Sequence, residues 1–519
     1  MADEIDIQFS KRFSVNLITN IVYFVINGVI GLLLAPFFID TLGEAAYGLI
    51  PLATSITSYV TLIIDSANAS ITRYLTLSLQ KGEMTEANKS YNTALYGILV
   101  ISLIMLPAII VLSWFATGVF DIGNQTRVTV FVLFACVFGA ALIRFLSSGF
   151  MTVLFAHNRL DLRNYINIAH ILIQVIFIVV TFSMFGPNLY FVGFAYLISA
   201  SLTFILSKIL SKKTNPNLKI HLSEKSNSQL IDMSKTSGFV IVTQIGYLLR
   251  TQLSLIIINI FIGVVAGAHF SLALTWYTLI ESISSLLSNQ FTPLLYSLCA
   301  KNDQNNLVSS GKLIVKFVGL IMVIPIGLAC VFMPQLMTLW VGEEYTALTP
   351  LVWILITPLI LRLQGNAIYP IVIAYNKVNI AAVVSIVVGV LNLVLALLFI
   401  HTMSDGMYGV AWAWFITMML QSVIFLLYIA YIVRVKISTY LSSALPAVLG
   451  FIIVVVLGMM FNLWYNPSAT FPDIILSGVV VSAVYGIIIR IFFINKDERI
   501  FVKSLLPKII RDKIPKWLL

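Results

Sequence analysis

Charge is what this chain has least of. Only 10% of its 519 residues are charged, against about 25% in soluble globular domains, and its mean hydropathy is +1.00. A soluble enzyme and a free-standing nucleic-acid-binding module are thereby excluded as readings, and no nucleic-acid partner is expected. Cysteine is nearly absent: Cys136, Cys299 and Cys330 sit in or beside apolar runs and imply neither a disulfide framework nor a metal site. Phosphate-loop chemistry is lacking too. Ser309-Ser310-Gly311-Lys312 has the ending of such a loop, but Asn306 stands where its first glycine is required. No zinc-protease motif occurs. The largest loops on the outer side, Trp340–Pro350 and Leu463–Pro472, are too short to form a domain. The chain is therefore not read as an enzyme, and no cofactor is expected. Any transport would draw on an H+ or Na+ gradient or on the fate of the substrate.

Apolar runs of about 20 residues, the length that crosses a bilayer as a helix, fill the space that charge leaves. Helices are required because unsatisfied backbone groups cannot face lipid. The expected fold is an all-α polytopic membrane protein with about fourteen spans. Twelve fall near 17–39, 47–70, 91–115, 128–151, 164–185, 190–208, 237–261, 268–297, 308–333, 350–373, 380–400 and 408–431, and a last pair near 441–462 and 473–494. Met1–Ser10 is acidic and polar, so the first run reads as an anchor rather than a removable signal.

Lys and Arg residues fall on one side of this map. The opposite loops hold only Arg127, and Arg73, Arg144, Arg250, Arg362 and Arg490 lie within or at the ends of spans. By the positive-inside rule both termini are expected in the cytoplasm. The basic balance of 31 Lys and Arg against 21 Asp and Glu needs no other cause.

The chain also repeats itself. Ile143-Arg144-Phe145 through Ala156-His157-Asn158-Arg159 has a counterpart in Leu361-Arg362-Leu363 through Ala374-Tyr375-Asn376-Lys377. Leu42-Gly43 aligns with Ile262-Gly263, Ser78-Leu79-Gln80-Lys81 with Leu298-Cys299-Ala300-Lys301, and Gly193-Phe194-Ala195-Tyr196 with Gly409-Val410-Ala411-Trp412. Two six-helix lobes are expected, 1–210 and 236–433, parallel and related by an axis along the membrane normal. A cytoplasmic linker covers 211–235, and two extra spans cover 434–495. The tail, 496–519, reads as a basic amphipathic helix on the anionic leaflet.

A guanidinium at the centre of a membrane helix costs about 2.5–3.5 kcal/mol on insertion scales, so it is rarely idle. Arg144, Arg250 and Arg362 lie well inside their spans and are the candidate anion-binding residues; structural ion pairing is the competing explanation. Arginine suits phosphate because its planar fork keeps its charge. Asp65 and Glu281 are the candidate carboxylates, either balancing an arginine or binding a coupling H+ or Na+. His170 and His269 read as packed core residues. Pro36, Pro107, Pro293, Pro325, Pro358 and Pro370 permit kinks in the spans.

Span 1 closes with Ala35-Pro36-Phe37-Phe38-Ile39. A turn follows, Leu42-Gly43-Glu44-Ala45-Ala46-Tyr47-Gly48, and span 2 carries Asp65-Ser66-Ala67 and Arg73. This pattern resembles the N-terminal signature of the Wzx-like polysaccharide and oligosaccharide–lipid flippases of the multidrug/oligosaccharidyl-lipid/polysaccharide exporter superfamily. Ala67 departs from it where the family usually has glycine, and Gly267-Ala268-His269-Phe270 replaces its more usual Gly-x-Tyr. The resemblance implies a flippase in the bacterial cytoplasmic membrane. Its substrate would be an undecaprenyl-diphosphate-linked oligosaccharide, an O-antigen or capsule/exopolysaccharide repeat unit. A polysaccharide polymerase and chain-length proteins would be its partners besides membrane lipids. The alternatives are a multidrug cation antiporter of the same superfamily and a membrane-embedded glycan polymerase or ligase.

Overall fold

The computed structural model describes residues 2–80, 82–288, 290–375, 377–465, 470–495 and 498. These are helical almost throughout. The elements are α1 (Ala2–Leu42), α2 (Glu44–Gln80), α3 (Met84–Val119), α4 (Arg127–Ala156), α5 (Leu160–Phe185), α6 (Leu189–Thr214), α7 (Asn227–Thr251), α8 (Leu253–Phe261) and α9 (Val264–Ser288). Next come α10 (Thr292–Ala300), α11 (Gln304–Trp340), α12 (Thr349–Ile356), α13 (Leu359–Ile368), α14 (Pro370–Ala374), α15 (Val378–Thr402), α16 (Gly406–Ile432), α17 (Thr439–Tyr465) and α18 (Phe471–Ile488).

Among the described residues thirteen helices are long and apolar enough to cross a membrane, and the protein is a multi-pass membrane protein. The seventh span predicted from the sequence, 237–261, falls on α7 and α8, which meet at Gln252, and Leu248–Phe261 is its described apolar part. The polar run Arg250-Thr251-Gln252 marks the joint. The tenth span is divided by proline. Pro358 caps α13 and Pro370 opens α14, each lacking the amide that an uninterrupted helix would need. The basic tail, 496–519, lies outside the described residues except for Glu498. That carboxylate accepts from Lys316 Nζ on α11 at 2.7 and 2.8 Å.

The repeat is visible in the backbone. Gly82 and Asn302, 220 positions apart, both take left-handed φ, at 75° and 53°. The same bond closes each turn: Glu83 N–H donates to Ser78 O, and Asp303 N–H to Leu298 O. Both are helix C-terminal caps, where a left-handed residue lets a following amide reach back to an orphan carbonyl. Gly43 and Gly263, also 220 positions apart, both take positive φ, as do Gly123 and Gly342.

Packing divides the chain differently from the repeat. One compact unit comprises Met1–Leu272 and Ser385–Val410; the other comprises Ala273–Val384 and Ala411–Leu519. Residues up to Leu272 thus group with the first six helices, although the sequence repeat assigns everything after 236 to the second lobe. Two contacts account for this. Gly246 on α7 lies directly against the backbone of Ser385 and next to Gly389 on α15. Asp121, after α3, bridges to the α8–α9 turn: its N–H donates to Asn259 Oδ1 at 3.1 Å, and its Oδ2 accepts from Val264 N–H at 2.9 Å. A carboxylate at the first amide of α9 also meets the positive end of that helix dipole. Glu44 at the start of α2 faces His269 Nε2 at 3.4 Å beside this clasp.

At the other end of α3 the connecting segment is ordered. Helix α6 runs on to Thr214, and residues 215–226 lie along α3. Asn88 Oδ1 accepts from Lys219 N–H, Asn92 Oδ1 from His221 N–H and Thr93 Oγ1 from Ser226 N–H, at 2.7–2.9 Å. In the second unit α11 packs on α13, α17 and α18. Gly311, Gly319 and Gly327 let Tyr440, Gln364 and Val454 approach its backbone.

Candidate functional site

A cavity of about 600 Å3 opens among α2, α4, α5 and α6 in the first unit. Arg144 lines it from the middle of α4, and Arg163 lines it from the first turns of α5. Both side chains are exposed to this space. Among the described residues Arg144 has no carboxylate within ion-pair distance. Arg159, near Arg163, is engaged elsewhere: its Nη2 lies 2.9 Å from Asp161 Oδ2, and that hydrogen bond pushes the guanidinium pKa still further above its ordinary value. Asn167, His170 and Tyr196 complete this side, and Thr203 Oγ1 lies 3.2 Å from His170 Nδ1.

The remaining wall is rich in hydroxyls. Thr54, Thr57, Ser58 and Thr61 come from α2, and Ser147, Ser148 and Thr152 from α4. Each donates to a carbonyl three or four residues back on its own helix. Thr57 to Thr54 O is 2.8 Å, Ser147 to Ile143 O 2.8 Å and Thr152 to Gly149 O 2.7 Å. This back-bonding is how an apolar span carries hydroxyls without stranding their protons. No described Asp or Glu side chain lines the cavity. Among the described lining residues the wall is cationic on α4 and α5 and otherwise neutral, suited to an anion beside a polar neutral group.

Arg362 occupies a different setting, on the short helix α13 between two prolines. Its Nη2 donates to Glu281 Oε1 on α9 at 2.8 Å, and its Nε reaches the same oxygen at 3.3 Å. The two side chains are 13% and 18% exposed, so the pair is largely removed from water. A small void of about 10 Å3 adjoins it, lined by Asn366, Gln421 and Ser422 among others. The contact sets the Glu281 carboxylate directly against a guanidinium. Arg250, the third candidate, is 1% exposed at the end of α7 and does not line the large cavity. Asp65 follows the cavity-lining Ile64 in α2, and its side chain lies outside the described residues, as does that of Arg73.

Arg163 was not legible as a site residue. In the sequence it belongs to a basic stretch with Arg159 after a span end, which reads as ordinary positive-inside charge. The signal that could have found it is spacing: Arg163, Asn167 and His170 fall on one helical face.

A family model described as polysaccharide biosynthesis protein matches residues 14–298, more than half of the chain. The chain belongs to that family. The chain is also similar to the uncharacterized membrane protein EpsK of Bacillus subtilis (strain 168). It is 24% identical over 495 residues, spanning 94% of this chain and 97% of that one. Among solved structures, an inward-facing multidrug resistance MATE family transporter of the MOP superfamily matches with a TM-score of 0.66 at 15% identity. It covers 78% of this chain and 94% of its own. Lipid II flippase MurJ in an inward closed conformation matches at 0.63 and 17% identity, covering 92% and 98%. This polysaccharide biosynthesis protein therefore has the fold of those transporters, as the sequence resemblance implies.

Proposed function

We propose that this protein is a flippase that carries an undecaprenyl-diphosphate-linked oligosaccharide across the bacterial cytoplasmic membrane. One observation carries the reading: Arg144 and Arg163 line a single hydroxyl-walled cavity into which no described carboxylate projects. A diphosphate dragged bare through hydrocarbon would meet a cost of tens of kcal/mol by Born reasoning. Two guanidinium forks in a water-accessible cavity replace much of the lost hydration while the polyprenyl tail stays in lipid. Transport is by alternating access, with both termini cytoplasmic, and it feeds a polymerase and chain-length proteins on the far side. Coupling to H+ or Na+ belongs to the same proposal, with Glu281 the carboxylate at which a coupling cation would compete with Arg362.

The fold likeness to a multidrug MATE transporter makes a cation antiporter the second reading. A cationic drug would need carboxylates where this cavity presents arginines, so the charge of the wall disfavours it. The test is surface glycan export in cells whose own copy is deleted. Arg144→Ala and Arg163→Ala, expressed at wild-type levels, are expected to abolish export. Full export by both variants would sink the proposal, and a gain of drug resistance on expressing the wild type would favour the antiporter.

A further inference from the structure

The hydroxyls along α2 carry a consequence for what the cavity accepts. Thr54, Thr57, Ser58 and Thr61 all face it. Each hydroxyl has one proton and two lone pairs. The protons are spent on the helix: Thr54 donates to Pro51 O at 3.1 Å, Thr57 to Thr54 O at 2.8 Å, and Ser58 and Thr61 to Thr54 O and Thr57 O at 3.3 Å. What remains for a ligand is acceptor capacity. Further along the same helix Asn68 lines the cavity, and its buried Oδ1 lacks a hydrogen-bond partner, a second sign that this wall is short of donors. On α4 the hydroxyls of Ser147, Ser148 and Thr152 are spent in the same way, but the guanidinium groups of Arg144 on α4 and Arg163 on α5 add what α2 lacks, groups that are donors only.

We infer that the cavity is divided into a donor wall on α4 and α5 that takes the anion, and an acceptor rail on α2 that takes the hydroxyl and amide N–H groups of the sugars. The assignment rests on the flippase reading and refines it. A helical rise of 1.5 Å per residue places about 10 Å between Thr54 and Thr61, the length of about two sugar rings. The rail prefers saccharides rich in free hydroxyl or N-acyl groups, and it gains nothing from a bare lipid diphosphate.

The test compares two probes on the purified full-length protein in nanodiscs: undecaprenyl diphosphate, and undecaprenyl diphosphate bearing N-acetylglucosamine. The wild type is expected to bind the glycosylated probe more tightly. A Thr54→Val, Thr57→Val, Thr61→Val variant keeps the shape of each side chain and removes the rail. It is expected to lose about tenfold in affinity for the glycosylated probe with binding of the bare probe unchanged. Arg144→Ala is expected to weaken both probes equally. The rail is overturned if the wild type does not discriminate between the probes, or if the valine variant still does. Unchanged binding of the bare probe by Arg144→Ala would instead overturn the anion reading beneath it. The unfolding temperature of each variant separates loss of binding from loss of fold.

Discussion

Glu281 receives two hydrogen bonds from Arg362 on one oxygen, at 2.8 and 3.3 Å, while the repeat counterpart Arg144 stands in an open cavity. The two arginines that the sequence aligns therefore differ in electrostatic state. Removing one partner of a largely buried pair strands the other's charge and costs about 3–5 kcal/mol, whereas replacing both with apolar groups is often neutral. Glu281→Ala is expected to lower stability by about that amount, and Glu281→Leu with Arg362→Met to recover most of it. Thermal unfolding in detergent checks this. Equal losses in the single and double variants would show that the pair is not coupled.

Arg163 is expected to matter as much as Arg144. Losing a charge-assisted hydrogen bond to a phosphate costs about 1.5–3 kcal/mol, roughly a 10- to 100-fold drop. Arg163→Gln should reduce transport of a lipid-linked substrate in proteoliposomes by that factor, and Arg159→Gln should leave it near the wild-type rate because Arg159 is held by Asp161. A reversed order would move the anion site to Arg159.

The Asp121 clasp is expected to limit access at its end of the bundle. Ser271, 6% exposed beside Tyr47, reports on it. In a protein lacking Cys136, Cys299 and Cys330, a cysteine in place of Ser271 should react several times faster with an impermeant maleimide once Asp121→Ala is added. Unchanged labelling would mean that the Asp121 carboxylate does not hold that end closed.

Close approach of α7 and α15 depends on Gly246. A methyl group there would run into the backbone of Ser385, so Gly246→Ala is expected to destabilise the first unit by about 1–3 kcal/mol. Gly31 meets nothing within 4 Å, and Gly31→Ala should be silent. Unfolding curves of the two variants decide whether the contact is as tight as described.

Much of this architecture was readable from residues alone. Span-length apolar runs are dictated by the bilayer, so the helices were legible, and the shared turns at Gly43 and Gly263 survive because a left-handed residue is costly to replace. The arginine at 144 was legible because a charge inside an apolar run is costly and stands out whatever its role. Its neighbour at 163 was hidden among basic residues that the membrane rule already explained. The partner of Arg362 was undetermined because Glu281 lies on another helix, and hydropathy says nothing about which helices meet.

The segment between α6 and α7 has one more implication. Bonded to α3 at Lys219, His221 and Ser226, it is fastened along its length rather than slack between two ends. A leash would let α7 wander; a fastened strip is a mounting bracket. Ser226 is also the N-cap of α7, so the strip fixes on α3 the point at which that helix begins. The helix thus inherits its starting place from the loop before it.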